Sequence, residues 1–294
     1  MSEYVISTST TADLTEEYIA AHKLNIIPLS YIIDDVEYPT ADGKQHSIEE
    51  VYKMLRSGVV IKTSMINGAK YDEEFRKILD SGKDLIHIEL SSGISGSYAN
   101  AKVVAEKLRE EYPERKIYCV DSLCASRGFG LLVSYMVKMQ EEGKTIEEVY
   151  DFAEKTKLNV IHWFTVDDLD FLKRGGRVSS VSAFVGGMLK IKPILNVDNK
   201  GKLIPLFKVR GRKKSITGMI DEMKKDILNP DGQMVYICHG DCIEDAEFAK
   251  KLILETFPTV ADVQIGYTGS VIGSHSGPGT LAIFYLGKER YEKK

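Results

Sequence analysis

Residues 84–98 read Asp-Leu-Ile-His-Ile-Glu-Leu-Ser-Ser-Gly-Ile-Ser-Gly-Ser-Tyr, and the fold turns on them. The apolar run 84–90 predicts a strand. Ser91-Ser92-Gly93-Ile94-Ser95-Gly96-Ser97 is a loop of small residues, and residues 98–112 continue as an amphipathic helix that stops at Pro113. Strand, short loop and helix in that order form half of a βαβ unit, and such units build parallel sheets. Working outward, strands are expected at 4–7, 25–33 and 116–120. Helices are expected from 16 to 23 behind Thr15, at 48–56 behind Ser47, at 71–79, through 140, and at 146–157. The first part of the chain therefore reads as a parallel α/β unit.

Beyond residue 158 the texture changes. Strands are expected at 160–166, 234–238, 262–269 and 281–286. The segment 192–210 reads as two strands around the hairpin signal Asp198-Asn199-Lys200-Gly201. Helices are expected at 168–174, 182–190, 215–228 and 244–257, and residues 273–279 form a Gly/Ser/His/Pro loop. The expectation is two domains: a parallel-sheet α/β/α domain over 1–158 and a mixed-sheet α/β domain over 159–294, with a ligand between them. No internal repeat is visible.

Composition narrows the function classes. The 294 residues carry 39 Lys+Arg against 43 Asp+Glu, a net charge of −4, which disfavours a dedicated nucleic-acid binder. No apolar run reaches the roughly 18 residues of a membrane span, and the N-terminus lacks the basic start of a signal peptide. Four cysteines are too few for a disulfide framework in a chain this long. A cytoplasmic protein without an integral membrane segment is expected. Cys238-His239-Gly240-Asp241-Cys242 lacks a matched second pair, so no metal is expected. No Walker A lysine and no dinucleotide fingerprint follows a strand, and no cofactor is expected.

The loop 91–97 is the strongest candidate site. At the carboxyl edge of a parallel sheet, small residues allow close backbone approach, the next helix offers free N–H groups, and serine hydroxyls add donors; together these suit an anion. The bland alternative is a helix cap without a ligand. Thr63-Ser64 is a weaker candidate, for which a plain turn serves as well. His275 projects from a constrained loop, although a lone histidine is commonly structural. Arg174 and Arg177 flank Gly175-Gly176 and could each pair with a carboxylate or phosphate, or simply end a helix in solvent. The run Lys208–Lys214 reads as solvated surface.

These motifs together resemble one family. Ser-Ser-Gly-Ile-Ser-Gly-Ser-Tyr at 91–98, Asp121-Ser122 with Gly128 and Gly130, Leu-Lys-Arg-Gly-Gly-Arg-Val-Ser at 172–179, Lys-Pro-Ile-Leu at 192–195, and residues 273–279 resemble the bacterial DegV family in the same order, nearly end to end. The resemblance implies two α/β domains with a long-chain fatty acid held between them. It implies a non-catalytic, lipid-binding subunit that presents the acyl carboxylate to a separate ATP-dependent fatty acid kinase, giving acyl phosphate for phospholipid synthesis. It further implies that Thr63, Ser95 and His275 bind the fatty-acid carboxylate, and that Arg174 belongs to the headgroup network or a partner surface. The chain departs from the family pattern at Ser7-Thr8-Ser9-Thr10 and at Met65-Ile66-Asn67.

Physical chemistry accommodates that function. Each buried methylene contributes about 0.8 kcal/mol, so about 16 of them gain roughly 13 kcal/mol before ordering and association costs. The carboxylate cannot follow without donors. The apolar stretch 181–191 offers Phe184 and Met188 as a tunnel wall, or as ordinary core. Two alternatives remain open from sequence: a serine hydrolase using Ser95 and His275, although residues 93–97 are not Gly-x-Ser-x-Gly, and a lipid-sensing regulatory protein.

Overall fold

The computed structural model describes residues 3–41, 43, 45–167, 169–178, 191–288 and 290. A four-stranded, all-parallel sheet is built from β1 (Tyr4–Ser9), β2 (Asn25–Ile27), β6 (Asp84–Glu89) and β7 (Ile117–Asp121), in the order β2-β1-β6-β7. A six-stranded mixed sheet is built from β8 (Val160–Thr165), β9 (Ile191–Val197), β10 (Leu203–Arg210), β11 (Met234–His239), β12 (Asp262–Tyr267) and β13 (Leu281–Leu286), in the order β10-β9-β8-β13-β11-β12. Only β11 and β12 pair in parallel there; the other neighbours are antiparallel.

The segment expected as one strand over 25–33 is two strands in different sheets. Pro28 has no N–H to donate to a ladder. Pairing of β2 with β1 ends at Ile27, and β3 (Ser30–Ile33) turns away into a small antiparallel sheet with β4 (Val36–Pro39) and β5 (Lys62–Ser64). β3 and β4 join through Asp34 and Asp35, both at positive φ (48° and 62°), which matches the twist of a tight hairpin. The other elements fall close to expectation. α2 (Ile48–Arg56) and α6 (Ile146–Thr156) begin with complete capping boxes at Ser47 and Thr145, and α1 (Glu16–Ala21) is capped by Thr15. α3 (Gly68–Asp80) starts a turn earlier than expected because Asn67 accepts from the Lys70 N–H.

α5 (Ser126–Glu141) is apolar nearly all round, as a helix buried on several sides must be. Phe129, Leu132, Val133 and Met136 belong to one core that also takes in Ile86 and Ile88 of the parallel sheet and Phe164 and Phe284 of the mixed sheet. The opposite face of the mixed sheet is covered by α8 (Arg212–Asp226) and α9 (Ile243–Thr256) through Ile216, Met219, Ile220, Ala249 and Ile253. Arg212, part of the basic run read as solvated surface, is largely buried and ion-paired to Asp245 at 2.8 Å.

The β9–β10 turn docks on the serine loop. Ser91 Oγ donates to the Gly201 carbonyl at 2.8 Å, and a Cβ on Gly93 would lie 2.4 Å from the Lys200 carbonyl oxygen. Gly201 sits at φ +69°, and a Cβ there would lie 1.9 Å from Ser91 Oγ. Gly201→Ala is therefore expected to destabilise the protein by about 2–4 kcal/mol, combining left-handed backbone cost with a steric clash. Urea denaturation checks this, with Lys200→Ala at the same turn expected to stay within about 0.5 kcal/mol.

Candidate functional site

A cavity of about 400 Å³ lies between the carboxyl edge of the parallel sheet and one face of the mixed sheet. From the first come Leu29 after β2, Leu90 and Ile94 after β6, and Ala125 after β7. From the second come His162 and Phe164 of β8, Val197 of β9, Cys238 of β11, and Ala282 and Phe284 of β13. The two-residue spacing on β8 and β13 puts those side chains on one face. Most of the lining is apolar.

Part of the lining is a cluster of polar groups from distant parts of the sequence. Thr63 stands on β5, Ser95 lies in the turn before α4 (Ser97–Glu111), and His275 sits on the last turn of α10 (Ser270–Ser276). The expected loop over 273–279 is thus largely helix. Thr63 Oγ1 and His275 Nε2 are 2.7 Å apart, a hydrogen bond spanning 212 positions of sequence. The ring approaches the backbone of Gly175 so closely that a Cβ there would lie 2.3 Å from Nδ1. The Gly175-Gly176 pair therefore serves fit at its first position; only Gly176 has positive φ.

Arg177, also lining the cavity, donates from Nε to the Ile94 carbonyl at 3.2 Å and from a terminal nitrogen to the Gly175 carbonyl. It ties the serine loop to α7 (Asp170–Arg174). Arg174 is exposed, with its guanidinium 4.8 Å from the Phe171 ring centre, and does not line the cavity. Burial, with Arg177 nearby, pushes the His275 imidazole down to about 4, so the ring is neutral at pH 7.

The four serines of residues 91–97 divide their work. Ser91 clasps Gly201, and Ser92 is exposed, its N–H bound to Asp121 Oδ1 at 3.1 Å. Ser97 is fully buried behind the loop, and Ser95 alone of the four lines the cavity. Ser95 Oγ takes the Ser97 N–H at 3.2 Å, a contact that marks the start of α4. Phe184 and Met188 lie outside the described residues.

His162 and Phe284, which also line the cavity, pack edge-to-face with ring centres 5.2 Å apart. His162 Nε2 accepts the Ala125 N–H at 3.2 Å, and Nδ1 lies 2.9 Å from the Val160 carbonyl, which assigns a neutral ring with the proton on Nδ1. Complete burial holds its basicity well below the ordinary range. Sequence reading passed over His162; its signal was a lone polar residue inside the apolar run Val-Ile-His-Trp-Phe-Thr at 160–165.

A Ser-His-acid triad is not assembled. The Ser95 hydroxyl donates to Ser97 Oγ at 3.1 Å, His275 pairs with Thr63, and Nδ1 of His275 faces Gly175 rather than a carboxylate. Among the described residues no group of three His, Cys, Asp or Glu side chains is placed to hold a metal ion.

A family model described as "Uncharacterised protein, DegV family" matches residues 3–288. The chain belongs to the DegV family. A DegV domain-containing protein of Clostridium perfringens is 41% identical over 287 residues, covering 98% of both chains. Among solved structures, the Bacillus subtilis DegV protein, described as a fatty acid binding protein, is 28% identical with a TM-score of 0.85, covering 98% of this chain and 100% of its own. A DegV family protein of Ruminococcus gnavus, described with vaccenic acid, is 26% identical with a TM-score of 0.84, covering 96% and 99%. The two-sheet α/β architecture is that of DegV structures. No helix among the described residues of this DegV chain is long and apolar enough to cross a membrane.

The depressed His275 basicity predicts a pH effect with a definite sign. The unfolded imidazole titrates near 6.5 and the folded one near 4, so the unfolded state binds more protons between these values. Stability from this group is complete above pH 6.5 and is lost as pH falls toward 4, by about 3 kcal/mol at one unit per 1.4 kcal/mol. Buried Asp13, pushed up to about 7 by desolvation, works in the opposite sense over pH 4–7, so total stability is not diagnostic. The slope difference between the parent and His275→Gln is: denaturant titrations at pH 7, 6, 5 and 4 should show the variant losing less stability on acidification.

Proposed function

We propose that this protein binds a long-chain fatty acid in the cavity between its two sheets, with the carboxylate at Thr63, Ser95 and His275. The observation that carries this reading is the lining of the cavity: mostly apolar side chains, with Thr63 hydrogen-bonded to His275 and Arg177 bound to the Ile94 carbonyl beside Ser95. Such a cavity rewards a ligand that is hydrocarbon along most of its length and an anion at its tip. The fatty-acid descriptions of the Bacillus subtilis and Ruminococcus gnavus relatives support the same class of ligand.

In this reading residues 1–158 and 159–294 act as two domains closed over the acyl chain. Thr63 supplies a hydroxyl to the carboxylate while neutral His275 Nε2 holds the other side of that hydroxyl. Ser95 supplies a second, and Arg177 contributes positive charge from the rim. The protein carries out no chemistry itself. It presents the headgroup to a separate ATP-dependent fatty acid kinase, and the acyl phosphate formed there feeds phospholipid synthesis in the cytoplasm. Exposed Arg174, outside the cavity, is suited to the partner contact. The missing triad geometry argues against the hydrolase alternative.

Native mass spectrometry of protein expressed in bacteria should reveal a co-purifying long-chain acid; ligand-free protein that takes up no added fatty acid would sink the proposal. After delipidation, Ser95→Ala and Thr63→Val should each weaken fatty-acid binding by about 1–3 kcal/mol with the fold intact. Arg174→Ala should leave that affinity unchanged and slow phosphorylation in a reconstitution with a fatty acid kinase subunit and ATP. Equal loss of both properties would remove Arg174 from the partner surface.

A further inference from the structure

A second cleft, of about 730 Å³, lies beside the first cavity and shares Val271 with it. It is formed by the turn after β1, by α1, by the segment between β4 and α2, and by the junction of β12 with α10. Arg127, the second residue of α5, also lines it and is 4% exposed. Its guanidinium is held in place: the central carbon lies 4.8 Å from the Tyr236 ring centre, and a Cβ on Gly266 would lie 2.3 Å from Nη1.

Arg127 is a buried cation with few of its donors used. Among the described residues its one hydrogen bond runs from Nη1 to the Asp13 backbone carbonyl at 3.1 Å, Nε has no partner, and no carboxylate pairs with it. The Asp13 carboxyl group, on the same cleft, is engaged elsewhere. It accepts the Ser126 hydroxyl, and the Gly269 backbone lies so close that a Cβ there would stand 2.3 Å from Oδ1. The other buried arginines differ. Arg290 makes five hydrogen bonds from all three nitrogens, and Arg212 has Asp245 as counter-ion. Removing a guanidinium from water is not repaid by one carbonyl and one ring face. A second group on the cleft is also unsatisfied: Gln45 Oε1 is buried with no partner among the described residues.

We propose that this second cleft binds a small organic oxyanion, a carboxylate or phosphate group on an apolar body, with Arg127 as its counter-ion. A guanidinium presents a planar fork that fits two oxygens of either group. The Gln45 amide adds N–H donors after a half-turn of its last torsion. Ile19, Ile26 and Ile48, which also line the cleft, offer apolar surface to the rest of the ligand. Exposed Glu16 on the same lining opposes an anion by its charge and holds the affinity down. The inference is independent of the fatty-acid reading, since Arg127, Gln45 and Glu16 do not line the first cavity.

The test is calorimetric titration of the full chain with phenyl phosphate, phenylacetate and neutral benzyl alcohol, with and without one equivalent of hexadecanoic acid. The three probes share an aromatic body, so the charged group is the variable. The better of the two anions should bind the parent about tenfold or more tightly than the alcohol, whether or not hexadecanoic acid is present, and which anion that is separates phosphate from carboxylate. Arg127→Met should lose about 10- to 100-fold of that affinity, the scale of hydrogen bonds to a charged group. Glu16→Gln changes an exposed position, so it serves even where Arg127→Met does not fold; it should tighten anion binding about two- to fivefold at low salt. Anions held no better than the alcohol, anions displaced by hexadecanoic acid, or either variant binding them as the parent does would each overturn the inference.

Discussion

The cavity exists because the β9–β10 turn is clamped onto the loop after β6. Ser91 Oγ reaches the Gly201 carbonyl, and the backbones at Gly93 and Lys200 approach closer than any side chain at position 93 would allow. Arg290, 4% exposed, secures the same junction from inside the chain. Its guanidinium donates to the carbonyls of Leu123, Lys157, Val160 and Asp198, and to Cys124 Sγ. A buried cation surrounded by carbonyl dipoles is costly to desolvate unless its donors are used, and here all three nitrogens are engaged. The spacing between the sheets, and hence the width of the cavity, is set at this seam.

The cluster of Thr63, His275 and Arg177 is built by the same device of close backbone approach. Gly175 admits the His275 ring, which brings the imidazole to Thr63; Arg177, two residues on, closes over Ile94. On the other side of α10, Tyr52 Oη donates to the Thr268 carbonyl at 2.8 Å and holds the start of that helix to α2. Thr63 from a minor sheet, Ser95 from a loop and His275 from a short helix meet without adjacency in sequence. Thr63 and His275 share one hydrogen bond, and Ser95 bonds Ser97, so the cluster is assembled by tertiary contacts and not by any one element.

Much of this was legible in the sequence. The strand–serine loop–helix unit, the capping boxes at Ser47 and Thr145, and the Asp198–Gly201 turn are local in origin, because each is decided by side chains hydrogen-bonding backbone within a few residues. The division at Pro28 was signalled by the missing N–H, and β4 by the paired aspartates that favour a left-handed turn. Those signals were overridden by β-branched runs on both sides. His275, singled out from the sequence as a candidate, was expected in a loop, since Gly273 and the serines of α10 are poor helix formers held helical by packing against α2 and α7.

The sequence by itself determined most of the elements, their alternation, the family and a set of candidate polar residues, because periodicity and capping act over a few positions. Only the tertiary structure decided which serine of residues 91–97 faces the cavity, that Arg177 rather than Arg174 lines it, and that a glycine is needed opposite His275. Those facts depend on which carbonyl, ring or hydroxyl arrives from 83 to 212 positions away in sequence, and no local pattern encodes such arrivals.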